Sequence, residues 1–290
     1  MTTHTPTHVI VLFGGESAEH DVSCVTAAHV LRALDPLKYR ISAIGITRDG
    51  KWNLATQAMA DLQRGPEHVG PTLSTDGAPT SISVVVGEAR DDVQTVVFPL
   101  LHGPLGEDGT VQGLLELANI AFVGTGVLGS SVSMDKGVAK QVLHANGIPQ
   151  PQYISLREAH VNDASLQHAI DTLGLPLFVK PANMGSSVGV SKAKNAAELK
   201  VAAAQALKYD EWIVIEEAIS GREIEVAVLG NIDARASTPG EIVPGNEFYD
   251  YEDKYITDGA QLVIPANLSA DEIEAVQKLA IVIFHTLRAE

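Results

Sequence analysis

The stretch Lys180-Pro-Ala-Asn-Met-Gly-Ser-Ser-Val-Gly189 brings one lysine, two glycines and two serines together within ten residues. Small residues let backbone N–H groups come close to a polyphosphate, hydroxyls add donors, and Lys180 supplies positive charge. The order Gly-Lys-Ser/Thr of a Walker loop is absent, and so is Gly-x-Gly-x-x-Gly. Taken alone, the stretch reads equally well as a polar hairpin turn. Glu216-Glu-Ala-Ile219 closes an apolar run. A strand end of this kind suits an adenine edge between apolar walls, the alternative being an acidic strand end facing water. Glu223 suits ribose hydroxyls, or else belongs to a plain polar strand face with Arg222 and Glu225.

Three further stretches carry candidate chemistry. In Gly14-Gly-Glu-Ser-Ala-Glu19-His20 a glycine turn brings Glu19 to a helix start. There a carboxylate either receives a substrate ammonium or simply complements the helix dipole. His102-Gly-Pro-Leu-Gly-Glu-Asp-Gly109 lies where a strand ends, the position at which open α/β sheets bind ligands. Phe248-Tyr-Asp-Tyr-Glu-Asp-Lys-Tyr255 sets three tyrosines and a lysine among acids, a composition that suits a mobile lid.

The elements that must hold these residues follow from periodicity and turn residues. An apolar strand over 8–13, a glycine turn, a helix over 22–34 and a strand over 39–47 form a βαβ unit, which predicts a parallel sheet. Residues 53–92 carry scattered Pro, Gly, Ser and Thr around a short β run at 81–86 and read as an insertion. A strand over 95–101 and a helix over 110–118 follow. A second unit begins near 133–136, with a helix to 145, a strand at 152–155, a helix over 164–173 and a strand over 177–180 before the glycine-serine loop. Beyond it come a helix over 196–209, β runs at 212–217, 223–229, 241–243 and 262–264, and a last helix to about 287. Ser269 and Glu272 give that helix a capping box.

Composition narrows the function. With 290 residues and 45% hydrophobic residues, the chain can build two or three cored domains. A net charge of −16 disfavours nucleic acid and anionic membranes, though local lysines can still gather an anionic small molecule. Cys24 is the only cysteine, so an internal disulfide is excluded and the residue reads as a small core side chain. The N-terminus lacks the Lys or Arg of a signal peptide, and the apolar runs are too short to span a bilayer; the expected location is cytoplasmic.

In order and spacing these stretches resemble the D-alanine–D-alanine ligase family of ATP-grasp enzymes. The resemblance runs from Val9 to the last residue. Its most specific piece is His102-Gly-Pro-Leu-Gly-Glu-Asp-Gly-Thr-Val-Gln-Gly113, accompanied by Gly14-Gly-Glu-Ser-Ala-Glu19, Met134-Asp-Lys136, the glycine-serine loop and the segment 249–255. It implies an α/β fold: an N-terminal parallel-sheet (pre-ATP-grasp) domain over 1–124, then a two-part ATP-grasp domain, central over 125–215 and last over 216–290. It also implies an ATP-dependent ligase of peptidoglycan and cell-wall synthesis that joins two D-alanines through an acyl phosphate, with magnesium, usually as a homodimer. The implied roles put Glu19 on the ammonium of the first D-alanine, with His102 in the same pocket. Ser186 and Tyr255 would complete a network with Glu19 that shuts the lid. Lys136 and Lys180 would contact the ATP phosphates, Ser187 would cover them, and Lys254 would meet the γ-phosphate. Phe178 would pack on adenine, Glu216, Glu217 and Ile219 would meet its polar edge, and Glu223 would hold the ribose.

One part of the family pattern is not found. The late Asp after Arg-Val, the Glu-x-Asn of the magnesium site and the following Pro-Gly segment do not occur up to Glu290. No metal ligand is therefore expected within these residues; the metal-binding end is expected beyond Glu290. The chain alone is expected not to complete ligation, and Leu279, Ile283 and Phe284 are expected to be exposed. Three other readings share some of these features. One is an ATP-grasp ligase making a D-alanyl-D-lactate ester, against which Lys254-Tyr255 speaks. Another is a non-catalytic nucleotide-binding module. The third is a nicotinamide oxidoreductase, whose glycine spacing the opening turn lacks.

Overall fold

A computed structural model describes residues 6–81, 84, 94–245, 247–249, 253 and 259–290. The chain divides into two compact units, Met1–Ser130 and Ser131–Glu290.

The first unit is built on the apolar strand β1 (Thr7–Gly14), which pairs in parallel with β2 (Tyr39–Ile46) and β5 (Thr95–Pro99). Strand alternation sends Val9, Val11 and Phe13 to one face and Ile10 and Leu12 to the other. Both sets are buried, which explains an unbroken apolar run rather than an alternating one. The first face packs on α1 (His20–Ala33), through Cys24, Ala27, Ala28 and Leu31. The second packs on the helix Thr110–Leu117, through Val111 and Leu115.

Residues after β2 correct the sequence reading of an insertion. β3 (Trp52–Leu54) adds antiparallel to β2, and β4 (Ala78–Pro79) adds to β3. Between them α2 (Thr56–Arg64) buries Ala58 and Leu62 in the same core as α1. The scattered polar residues hid these few apolar anchors. Most of the β run expected at 81–86 lies outside the described residues. With β6 (Ala121–Phe122) the sheet reads β4-β3-β2-β1-β5-β6. The helix Thr110–Leu117 is α3, and α4 (Val127–Met134) follows it.

The second unit opens with α5 (Lys136–Ala145), capped by the Asp135 side chain, which accepts the Val138 N–H. An antiparallel sheet follows in the order β7-β10-β8-β9, made of β7 (Tyr153–Arg157), β8 (Leu177–Pro181), β9 (Ser191–Ala193) and β10 (Trp212–Glu217). One face is apolar. Leu177, Val179, Ala193, Ile213 and Ile215 pack on α6 (Asp163–Leu173) and α7 (Ala196–Ala206). Asn162 and Ser165 form a capping box on α6.

The run expected at 223–229 is two short strands, β11 (Glu223–Glu225) and β12 (Val228–Leu229). β12 pairs with β13 (Arg235–Ala236), whereas β11 joins β14 (Gly240–Val243) and β15 (Gln261–Val263) in a three-stranded sheet. The last helix, α8 (Ala270–Thr286), carries the expected capping box between Ser269 and Glu272 and buries none of its residues. Leu279 is exposed, while Ile283 and Phe284 are half-buried. Among the described residues no helix is long and apolar enough to cross a membrane.

Candidate functional site

The second unit concentrates its polar chemistry on the other face of the four-stranded sheet. In β8, Phe178 and Lys180 alternate with the core residues Leu177 and Val179. Register sets Phe178 opposite both Glu216 of β10 and Lys192 of β9, and sets Glu216 opposite Tyr153 of β7. Directly opposed residues share a face, so Phe178, Lys180, Lys192, Glu216 and Tyr153 stand together.

Two adjoining clefts, of about 550 and 350 Å³, use this face. Phe178, Glu223 and Phe248 line both. The larger adds Lys192, Ile219 and Val243; the smaller adds Lys136, Lys180 and the loop residues Met184 to Ser187. Volumes in this range suit a nucleotide-sized ligand. The rings of Phe178 and Phe248 meet edge to face, 5.2 Å apart at 82°. Lys180 and Lys192 each lie 5.7 Å from the Phe178 centroid, so cations border an aromatic wall.

The glycine-serine loop is anchored at both ends. Asp210 accepts the Asn183 N–H at 2.6 Å, and Met184 and Val188 are buried. Ser186 and Ser187 hold φ of +50° and +58°, and Gly189 holds +71°. Non-glycine residues at positive φ are uncommon, and two in a row mark a backbone shaped for a purpose other than a minimal turn. At Gly189 a Cβ would meet Tyr209 at 2.7 Å and Pro181 at 2.8 Å, so only glycine fits. Ser187 Oγ donates to the Tyr249 carbonyl at 2.9 Å. Lys254 and Tyr255 lie outside the described residues.

Charges are organised around Glu216, which is 4% exposed. Its carboxylate accepts from Lys140 at 2.8 Å and from Lys180. Burial alone would raise this carboxyl, but the Lys180 charge and hydrogen bonds from both lysines outweigh it and hold the group below its usual value. Glu216 lines neither cleft. Glu217 accepts the Gln152 N–H at 2.8 Å, whereas Ile219 is exposed at the larger cleft. Lys136 donates to the carbonyls of Ala182 and Met184 at the base of the loop. Burial, then the Lys180 charge, lowers its ammonium to about 8, partly offset by Glu216, Asp210 and Asp135.

In the first unit the carboxyl ends of β1 and β5 carry the other candidate group. Ser23 Oγ accepts the Gly14 N–H and donates to the Leu100 carbonyl, tying the two strand ends together. Ser17 Oγ donates to the His102 carbonyl at 2.6 Å and accepts the Glu19 N–H at 3.1 Å. The His102 ring lies 3.2 Å from Thr26 Oγ1. Glu19 is buried against Gly103, where a Cβ would come within 2.5 Å of its carboxylate. Glu107 accepts the Gly103 N–H at 2.7 Å. Burial raises the Glu107 carboxyl, the Gly103 hydrogen bond and His102 oppose that, and the Glu19 charge adds to it. Two carboxyl groups and a histidine at these two strand ends make a fitting cradle for an ammonium. A cleft of about 290 Å³, lined by Gly15, Trp52, Leu101 and His102 among others, opens beside them.

Sequence reading missed Lys140, Lys192 and Asp210. The spacing Lys136 to Lys140, one helical turn, was the available signal for the first. For Asp210 there was none, since it sits in the connection between α7 and β10, 27 residues from its partner.

Residues 8–125 match the family model described as D-ala D-ala ligase N-terminus, and residues 142–290 the one described as D-ala D-ala ligase C-terminus. The chain is 44% identical over 289 residues to D-alanine–D-alanine ligase A of Chromobacterium violaceum, covering 96% of this chain and 78% of that one. It is also 44% identical over 289 residues to the D-alanine–D-alanine ligase of Geobacillus thermodenitrificans, covering 97% and 79%. Among solved structures it resembles the VanG D-Ala:D-Ser ligase of Enterococcus faecalis, with a TM-score of 0.81, 32% identity and coverage of 98% and 83%. The D-alanine–D-alanine ligase of Coxiella burnetii gives a TM-score of 0.78, 34% identity and coverage of 98% and 78%. Its fold is thus that of the ATP-grasp ligases, and the chain belongs to the D-alanine–D-alanine ligase family.

Proposed function

We propose that the lysine-rich face of the four-stranded sheet binds ATP and that the β1 and β5 strand ends bind D-alanine. The protein is an ATP-dependent ligase that joins two D-alanines for cell-wall synthesis. The observation that carries the ATP assignment is the pair of clefts walled by Phe178 and bordered by Lys136, Lys180 and Lys192 beneath a glycine-serine loop. On this reading Phe178 packs on adenine, with Glu217 and Ile219 at its polar edge, Glu216 behind them and Glu223 on the ribose. Lys136, Lys180 and Lys254 neutralise phosphate charge, and Ser187 covers it. Glu19 and His102 receive the ammonium of the first D-alanine. Ser186 and Tyr255 take part in lid closure. Residues 125–215 and 216–290 then correspond to the central and last parts of the ATP-grasp domain.

A carboxylate oxygen of the first D-alanine attacks the γ-phosphorus, the bond to the bridging oxygen breaks, and ADP leaves an acyl phosphate. The amine of the second D-alanine attacks the acyl carbon and loses a proton, and inorganic phosphate departs. Lysines and backbone donors lower the charge barrier by position, and the loop excludes water that would hydrolyse the acyl phosphate. The family implies magnesium with ATP. Among the described residues no group of three or more His, Cys, Asp or Glu side chains is arranged to hold a metal, so no step is assigned to one. A cytoplasmic homodimer remains our proposal for the protein's setting.

Calorimetric titration with ATP and with adenosine tests the nucleotide assignment. Lys180→Ala is expected to weaken ATP by roughly a hundred-fold, as loss of a charge-assisted phosphate contact does, with little change for adenosine. Failure of the unaltered chain to bind ATP, or equal affinity for ATP and adenosine, would sink it.

A further inference from the structure

A fourth lysine stands behind the clefts and lines neither of them. Lys140 follows Lys136 by one turn of α5, so both side chains leave the helix on one side. Its side chain is 12% exposed, with Nζ 2.8 Å from Glu216 Oε2 and 5.0 Å from the centre of the Tyr153 ring. The other Glu216 oxygen accepts from Lys180. One buried carboxylate therefore holds two ammonium groups, one reaching the clefts and one not.

Resting on the nucleotide reading above, we propose that Lys140 is a positioning residue for phosphate binding. It keeps Glu216 paired while Lys180 exchanges that carboxylate for a phosphate. The argument turns on what Lys180 leaves behind. A buried carboxylate stripped of its last ammonium is costly, so a lone Lys180 would be held on Glu216 and phosphate would have to compete with it. With Lys140 in place the carboxylate retains a cation, a hydrogen bond and a shielding ring after Lys180 moves. The Tyr153 ring fixes the Lys140 ammonium over a π face, limiting its own departure toward the nucleotide. The asymmetry in exposure agrees, since the Lys180 side chain is 29% exposed against 12% for Lys140.

A brace that merely stabilised the fold would affect every ligand alike, whereas a phosphate-positioning residue would not. ATP, ADP and adenosine are titrated into the full chain and into Lys140→Met and Lys140→Arg, with folding checked by thermal melting. Lys140→Met is expected to weaken ATP and ADP roughly ten-fold or more, in line with losing one partner of a buried charge pair, and to leave adenosine unchanged. Lys140→Arg, which keeps the charge and its donors, is expected to restore most of the loss. If Lys140→Met fails to fold, Lys140→Gln, which can still donate to Glu216 but carries no charge, is read by the same criterion. Unchanged ATP affinity, or equal weakening of adenosine and ATP, overturns the role of Lys140 alone. Absence of ATP binding by the unaltered chain overturns the nucleotide reading and this inference with it.

Discussion

The two units build their candidate sites in opposite ways. In the first, functional side chains sit on turns at the carboxyl ends of parallel strands, because both faces of β1 are buried and only the ends are free. Backbone geometry does the positioning there: Gly14 and Gly15 hold φ of +88° and +100°, and Gly103 holds +73°. In the second unit one sheet face is a core and the other carries the chemistry, so simple alternation along β8 separates Leu177 and Val179 from Phe178 and Lys180. A site on strand ends depends on a few irreplaceable backbone positions. A site on a sheet face depends mainly on side-chain identity, its backbone constraint being confined to the glycine-serine loop, where Gly189 holds φ of +71°.

Three measurements would break or sharpen that contrast. The largest effect is expected at Gly14, where a Cβ would meet the Ile46 carbonyl at 2.2 Å in a left-handed conformation. Gly14→Ala is expected to cost roughly 3–5 kcal/mol in denaturant unfolding, from clash and backbone strain together. A loss near zero would mean that the turn is free to relax and that the backbone argument fails.

Next comes a pair of neighbours in β8. Leu177 is fully buried, and Leu177→Ala is expected to cost about 3 kcal/mol of stability. Phe178→Ala, one residue along on the cleft face, is expected to cost clearly less stability and to weaken adenosine roughly ten-fold through lost ring packing. If both substitutions changed stability alike and left adenosine binding intact, the division of the sheet into a core face and a binding face would be wrong.

The smallest effect concerns Lys136, whose ammonium burial and the Lys180 charge lower to about 8. Between that value and its ordinary one the unfolded chain binds more protons, so this residue makes stability rise with pH across that window. Its charge disappears from the folded protein as pH rises through about 8, so ATP affinity is expected to fall a few-fold, about 1 kcal/mol, between roughly pH 7 and 9. Lys136→Met should abolish that fall. A slope that persists in the variant would assign the titration to another group.

Much of this molecule was legible in its residues. Apolar runs, glycine turns and caps gave β1, α1, α3, β10 and the last helix to within a few residues, since each rests on local periodicity or a local hydrogen bond. The same local signals failed at residues 53–79, where β3, α2 and β4 owe their place to Ala58, Leu62 and Leu73 entering a core made elsewhere. The site divides likewise. Candidate residues for a polyanion and an ammonium could be picked out in the sequence, Lys180, Glu19 and His102 from their own stretches and Lys136 through the family resemblance. That Glu216 turns its carboxylate to Lys140 and Lys180, and that Asp210 anchors the glycine-serine loop, was decided only by the antiparallel register and the packing of α5. Pairings between residues 27 to 76 positions apart leave no periodic trace in the chain, because their energy appears only once the strands have met.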